Sequence, residues 1–197
     1  MNNLAEVRAF FAERAATWET KYGHDMPLYA AAVRETGAPA GGVAIDVGCG
    51  TGRALPALRE AVGPTGRVIG IDVTPEMLAM ARSLGREQYG ALVFADAHSL
   101  PLPPASVDLF FAAGLLGHVS DVDAVLTEAA RVTRPGGKLV LFHPVSRAAL
   151  AARRGRTLGP DDVLAEEPLR ARLTRTGWVL DRYDDADDRF YARALRR

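Results

Sequence analysis

The sequence predicts an α/β fold: a doubly wound, mostly parallel sheet of seven strands, with helices on both faces and an antiparallel C-terminal hairpin strand. Three observations predict it. Val43-Ala44-Ile45-Asp46-Val47 suits a buried strand and leads into Gly48, Gly50 and Gly52, one glycine at every second position, with helix-forming sequence behind them. Strand, tight turn and helix N-terminus in that order open a Rossmann-like nucleotide-binding unit. Strand and helix patterns then alternate to residue 143, which calls for parallel strands covered on both faces. Finally, two strand-like segments flank Asp184-Asp185-Ala186-Asp187-Asp188, and a hairpin there adds a strand running against the others, which a plain dinucleotide fold usually lacks.

The elements follow in order. Residues 4–18 have helical periodicity, with Leu4, Val7, Phe10, Phe11 and Ala15 along one side. Residues 27–36 form a second helix with proline in its first turn, and the Gly/Pro/Ala stretch 37–42 is the loop before the first strand. A helix over 53–62 stops at Gly63-Pro64-Thr65-Gly66. Strand 67–72 is followed by a helix over 75–84 with Thr74 as its N-cap. Strands follow at 92–95 and 107–112, then a helix over 122–132. Pro135-Gly136-Gly137 turns into strand 138–143. A helix over 164–176 ends at Gly177, and strands 178–183 and 189–195 close the chain.

Composition bounds the function. The 197 residues fit one domain with a sizeable core. With 24 basic and 24 acidic residues the formal charge is zero, so neither nucleic acid nor an anionic membrane has an electrostatic footprint to meet. One cysteine excludes an internal disulfide framework and fits a reducing compartment. The first 18 residues carry acids and lack an apolar core, so they do not read as a signal peptide, and no apolar run reaches membrane-spanning length. The expectation is a cytoplasmic protein.

The glycine spacing is itself informative. Arg53 stands where the dinucleotide fingerprint G-x-G-x-x-G needs its third glycine, and the phosphate-cradling G-x-x-x-x-G-K-[ST] is absent. Tight glycines without a lysine or arginine fixed on phosphate suit a nucleoside that has none. The turn should let the backbone approach such a ligand and offer it N–H groups. Asp72 ends the second strand, 20 residues after Gly52, where an acid hydrogen-bonds ribose hydroxyls. Its bland alternative is a cap on the next helix.

With these residues in view, the chain resembles the class I S-adenosyl-L-methionine-dependent methyltransferases, in particular the small-molecule group that includes ubiquinone-biosynthesis-type enzymes. Four motifs in order carry the resemblance: AIDVGCGTG (44–52), VIGIDVTPEMLAMAR (68–82), FADAHSLPLPPASVDLFFA (94–112) and ARVTRPGGKLVLFHP (130–144). The resemblance implies one methyltransferase domain over 1–197, with a helical lid at 1–40, a cofactor-binding core at 41–145, and a helix plus hairpin at 146–197. It implies S-adenosylmethionine as cofactor and S-adenosylhomocysteine as product.

The same resemblance assigns roles. Gly48, Gly50 and Gly52, with Cys49 and Thr51 between them, pass close to the methionine part of the cofactor, Cys49 as packing and not as a nucleophile. Asp46 anchors the turn and helps orient the ammonium group. Asp72 holds the ribose hydroxyls, and Val73 and Met77 pack on adenine or ribose, though Met77 also reads as core. Asp96 and the Ala97 N–H read the adenine edge, unless Asp96 is only a loop cap. Ala113 places a carbonyl near the ammonium, and Tyr22 with Trp18 closes the lid or merely packs between the N-terminal helices.

Absent motifs narrow the acceptor. Ala112-Ala113-Gly114-Leu115 stands where amine methyltransferases acting on nucleobases carry an Asn/Asp-Pro-Pro-Tyr run. No cysteine sits beside a proline for attack on a cytosine ring. The acid that metal-dependent catechol enzymes need after the fourth strand is replaced by alanine, so no metal is expected. A base is needed only where the acceptor begins protonated, and histidine suits that task near neutral pH. The candidates are His118 in the loop after the fourth strand, His143 at the end of the fifth, and His24 in the lid; His98 reads as a solvated loop residue. Relatives often have a His-His pair where this chain has Gly117-His118. Arg147, Arg153, Arg154 and Arg156 follow the fifth strand, either to meet an anionic substrate or as a solvated helix face. That region is short, so the pocket roof is open or completed by a second subunit in a homodimer. The expected activity is methyl transfer to a small organic molecule, at oxygen or nitrogen and possibly carbon. The alternative is a protein that binds the cofactor, or a cyclase on the same scaffold, without methyl transfer.

Overall fold

The computed structural model describes residues 3–153, 155, 157–159 and 161–197. Its strands are β1 (Val43–Val47), β2 (Arg67–Asp72), β3 (Ala91–Phe94), β4 (Val107–Ala113), β5 (Thr133–His143), β6 (Trp178–Ala186) and β7 (Arg189–Arg196). They form one sheet in the order β3-β2-β1-β4-β5-β7-β6. β1 to β5 pair in parallel, and β7 runs antiparallel to both β5 and β6. The expected seven-stranded, mostly parallel sheet with its hairpin is therefore present. Chain order reverses between β1 and β4, so the C-terminal ends of those strands flank a crevice, the place where open α/β sheets bind ligands.

The helices are α1 (Leu4–Ala12), α2 (Ala15–Tyr22), α3 (Met26–Thr36), α4 (Leu55–Val62), α5 (Pro75–Ser83), α6 (Val122–Val132), α7 (Arg147–Arg153) and α8 (Glu166–Arg175). Alternate strand residues feed two cores. Ala44, Leu109, Phe111, Val140 and Phe142 pack with Tyr29 and Val33 of α3 and Leu55, Leu58 and Val62 of α4. Their neighbours Ile45, Phe110, Leu139 and Leu141 pack on the other face with Leu126 and Ala129 of α6 and Leu169 and Leu173 of α8. Trp178 is fully buried on that side, and its indole Nε1 donates to the Leu126 carbonyl at 3.0 Å, which fastens the hairpin to α6. Arg189, bonded to both Glu35 and Asp184, ties the hairpin to α3.

Several element bounds differ from the sequence reading, three of them with a clear physical cause. The single helix over 4–18 is two, α1 and α2, broken at Glu13–Arg14. There the Arg14 guanidinium takes the Phe10 carbonyl at 2.7 Å and closes the end of α1. In one continuous helix Phe11 and Trp18 would be separated by about 10 Å along the axis; the break brings their rings to 5.5 Å. The helix after the glycine turn begins at Leu55 and not at 53, because Gly52 at φ +81° continues the turn. β5 begins at Thr133, whose pairing with Val107 precedes an irregularity that absorbs Pro135-Gly136-Gly137. At Thr74 the expected N-cap has extended backbone but makes no side-chain capping bond.

Ala105 is the single non-glycine with positive φ among the described residues, at 48°. Its N–H is held by the Arg131 carbonyl at 2.9 Å, so the turn cannot relax. The left-handed region costs an L-residue about 1–2 kcal/mol, partly offset by the extra chain entropy of glycine. Ala105→Gly should stabilise the protein by about 0.5–1 kcal/mol, read as a rise in the urea midpoint at constant m-value.

Candidate functional site

The crevice is built from the β1–α4 turn, and the structure changes how that turn works. Gly48, Gly50 and Gly52 have φ of +74°, +55° and +81°. The N–H groups of Gly48 and Cys49 donate to the Ile71 carbonyl at 2.8 and 3.0 Å, and that of Gly52 to the Cys49 carbonyl at 2.9 Å. The Gly50 N–H donates to Asp72 Oδ2 at 2.8 Å. These four donors are spent inside the protein, which narrows the N–H groups the turn can offer a ligand. What remains is room. A Cβ at Gly48 would lie 3.1 Å from Leu115, and one at Gly52 2.9 Å from Leu55, whereas one at Gly50 meets nothing closer than Met77 Sδ at 4.0 Å. Gly48 and Gly52 are required by packing and backbone, and Gly50 by backbone and an open face. Cys49 is buried, with its Sγ against Gly70 and its thiol pushed up by burial, which fits packing.

Two acids define the electrostatics. Asp46 is 2% exposed, and its Oδ1 has no hydrogen-bond partner among the described residues. Burial first, and the charge of Asp72 second, push its carboxyl from 3.8 up to about 7, against an opposing pull from Arg53. The turn is anchored from β2, by Ile71 and Asp72, and not by this orphaned oxygen. Asp72 is raised as well, by burial, with the Gly50 and Thr74 N–H groups working against it. Its Oδ1 accepts the Thr74 N–H at 2.8 Å. Each carboxylate oxygen has capacity beyond one such bond, so a diol can still be received. A buried acid with an unmet oxygen beside a second acid suits a ligand bearing positive charge and hydroxyls. It repels phosphate. The chemistry of S-adenosylmethionine, with an ammonium, a sulfonium and a ribose diol, fits this pair.

At the β3 end Met77 and Ala97 are buried and Val73 is partly so. Asp96 Oδ1 accepts two bonds from His98, from its N–H at 2.9 Å and its ring Nδ1 at 2.7 Å. Partial burial raises the Asp96 carboxyl, but these bonds outweigh it and hold it below the usual carboxylate range. His98 is therefore not the solvated loop residue expected.

The N-terminal helices cross the same crevice. The rings of Trp18 and Tyr22 pack at a tilt, 4.6 Å apart, and Phe11 packs edge-on against Trp18 at 5.5 Å and His118 at 5.0 Å. Fully buried Thr51 donates its hydroxyl to Glu19 Oε1 at 2.5 Å. Arg53 donates to the Tyr22 carbonyl at 3.1 Å and to Asp25 at 3.3 Å, and lies 4.6 Å over the Tyr29 ring. Glu19, Asp25 and Arg53 were not among the expected site residues. No local pattern distinguishes a carboxylate on an ordinary helix until the tertiary fold sets it against the glycine turn.

The three histidines are placed differently. His118 ends a short turn of helix after β4, beneath Phe11. His143 ends β5, its Nδ1 accepting the Val145 N–H at 3.3 Å, beside Gly114 and Ala113 of β4. It lines an apolar cavity of about 40 Å³ with Leu115, Gly117, Leu150 and Phe190, room for about one water and far less than a ligand pocket. The His24 side chain is 75% exposed and faces Asp25 at 3.2 Å. Arg147 is held by Asp185 at 2.8 Å and Asp162 at 3.1 Å, which favours a structural role over an anion-binding one. Arg154 and Arg156 lie outside the described residues. Among the described residues no cluster of three His, Cys, Asp or Glu could hold a metal ion, and no helix is long and apolar enough to cross a membrane.

Comparison with known proteins agrees with this geometry. Residues 45–141 match the family described as "Methyltransferase domain". The demethylmenaquinone methyltransferase of Anoxybacillus flavithermus is 42% identical over 103 residues, which is 51% of this chain and 44% of that protein. The chain thus spans less than half the length of that curated relative. Among solved structures, a SAM-dependent methyltransferase from Aquifex aeolicus superposes with a TM-score of 0.76 at 23% identity, covering 94% of this chain and 98% of that one; at that identity the likeness is one of fold. The [4+2]-cyclase SpnF is 28% identical with a TM-score of 0.62, over 81% of this chain and 58% of its own.

Proposed function

We propose, from the premise that residues 45–141 belong to the methyltransferase-domain family, that this protein is a class I S-adenosylmethionine-dependent enzyme methylating a small organic acceptor. The observation that carries the reading is the buried Asp46, with its unmet oxygen, beside Asp72 at the mouth of a glycine turn whose Gly48, Cys49, Gly50 and Gly52 N–H donors are spent. Bound there, S-adenosylmethionine supplies an electrophilic methyl group on sulfur. Asp46 takes the ammonium, directly or through water, with the Ala113 carbonyl nearby, and Asp72 takes the ribose hydroxyls. Gly48 to Gly52 leave space for the methionine chain. Val73 and Met77 pack on the nucleoside, and Asp96 with the Ala97 N–H reads the adenine edge. The α1–α2 lid, through Phe11, Trp18 and Tyr22, excludes water.

Transfer is an in-line displacement. The cofactor would supply the methyl carbon to the acceptor and leave with the carbon–sulfur bonding pair as S-adenosylhomocysteine. Alignment and water exclusion supply much of the acceleration. Where the acceptor begins protonated, His118 in the short helical turn after β4, or His143 at the end of β5, takes the proton. His24 in the lid is the third candidate, though its exposure favours it least. The acceptor is an oxygen or nitrogen nucleophile, possibly carbon; demethylated quinols head the panel because of the named relatives. The reading also places the protein in the cytoplasm, with a second copy available to close the short roof.

A second reading has one observation in its favour, the likeness to a [4+2]-cyclase. Turnover separates the two. S-adenosylhomocysteine is expected to accumulate with at least one acceptor in a panel of quinols, phenols and amines. Tight adenosyl binding without turnover across that panel would favour the cyclase or binding-protein reading. No adenosyl binding at all would sink both.

A further inference from the structure

His98 lies in the β3–β4 connection, two residues after the acid assigned to the adenine edge, and has no role in the reading above. Its contacts are specific. Asp96 Oδ1 is occupied by His98 twice, through backbone and ring, while among the described residues Oδ2 takes no hydrogen bond and the Asp96 side chain is 36% exposed. On the far side of the imidazole, Nε2 faces the Ser120 hydroxyl at 3.4 Å, at the entrance to α6. The pattern assigns the proton to Nδ1, which donates to the carboxylate, and leaves Nε2 to accept from Ser120.

A loop carboxylate on its own exchanges rotamers and presents either oxygen in several directions. With one oxygen held by a planar ring that is itself tied to the next loop, only the second is left, in one direction. We propose that His98 is a positioning residue that aims Asp96 Oδ2 at the exocyclic amino group of the purine and so sets selectivity for an adenosyl over an inosyl cofactor. The proposal rests on the cofactor reading above and adds a specificity device to it. An inosyl base presents a carbonyl where adenine presents an amino donor. A fixed carboxylate rejects that carbonyl, whereas a mobile one turns aside. Ser120 links the same ring to the loop after β4, which carries His118.

Titration calorimetry with S-adenosylhomocysteine and S-inosylhomocysteine tests this on wild type, His98→Ala, His98→Asn and Ser120→Ala. Wild type is expected to prefer the adenosyl ligand by about 100-fold. His98→Ala should cut that preference by about tenfold or more. His98→Asn should keep it, because its amide N–H can replace the ring donor, and Ser120→Ala should lower it by a few-fold. A general loosening of the loop would weaken both ligands alike and leave the ratio unchanged. That result, with wild-type binding intact, would overturn the role of His98 and spare the cofactor reading. Equal binding of both ligands by wild type would also overturn it. Failure of wild type to bind S-adenosylhomocysteine would overturn the cofactor reading and this inference with it.

Discussion

Replacing Asp46 by asparagine should weaken S-adenosylhomocysteine binding about 10- to 100-fold at pH 7.5 and remove most of its dependence on pH. The ligand carries the same ammonium as the cofactor, and a charge-assisted bond in a buried site accounts for a loss of that size. The pH dependence follows from the carboxyl at about 7. Below that value the ligand-free protein holds Asp46 protonated, and a bound ammonium needs the carboxylate, so binding must release a proton. Affinity should therefore fall up to about tenfold for each pH unit below 7. Calorimetry from pH 5.5 to 7.5 in two buffers of different ionisation enthalpy measures the proton directly. Affinity unchanged over that range, with no proton released, would remove Asp46 from the ammonium.

The same residue has the opposite effect on folding. Its folded value lies above the unfolded 3.8, so between the two the folded state holds more protons. This contribution is fully present below pH 3.8, is lost as pH rises towards about 7, and is flat above it. The integrated loss is roughly 4 kcal/mol. The ligand-free wild type should then lose stability between about pH 4 and 7 relative to Asp46→Asn, whose amide does not titrate. A site that disfavours its own carboxylate until a cation arrives explains why Asp46 sits in a strand that otherwise reads as Val, Ala, Ile and Val.

That placement was legible in the sequence because it is local. An acid inside an apolar strand, three glycines at alternate positions and an acid ending the next strand are each fixed within a few residues. The sheet was legible for the same reason, since alternating strand and helix patterns leave few topologies. The division into lid, core and hairpin rests on motif order. What could not be read is what the fold alone brings together. Nothing near Thr51 announces Glu19, 32 residues earlier, and nothing near Arg53 announces Asp25 and the Tyr22 carbonyl. The break between α1 and α2 follows from Arg14 reaching back to Phe10 and from the rings of Phe11, Trp18 and His118 needing to meet. Periodicity cannot see either cause, because the apolar stripe continues across the break. His98 read as solvated because its partner Ser120 lies 22 residues away. The glycine turn is legible for the same local reason, but the Ile71 carbonyl and Asp72, which take the N–H groups of Gly48, Cys49 and Gly50, lie outside its pattern.

Because Asp72 takes one of those groups, Asp72→Ala should be the most damaging single change at the site, with binding of S-adenosylhomocysteine weakened by about 100-fold or more. The substitution removes the partner of the Gly50 and Thr74 N–H groups, both at 2.8 Å, together with the acceptor for the ribose diol. It also removes a charge that raises Asp46, so the pH dependence of binding should move to lower pH. Asp72→Asn keeps one acceptor oxygen but sets an amide donor against the other N–H, and should fall between alanine and wild type. Loss of the ribose contact and loosening of the turn are separable by ligand. Wild type should bind a 2′-deoxy analogue of S-adenosylhomocysteine at least about tenfold more weakly than the parent, and Asp72→Ala should bind the two alike. Amide exchange at Gly50 should quicken in the alanine variant whatever the ligand. If Asp72→Ala still distinguished the two ligands as wild type does, Asp72 would be a brace for the glycine turn and the ribose would be held by another group.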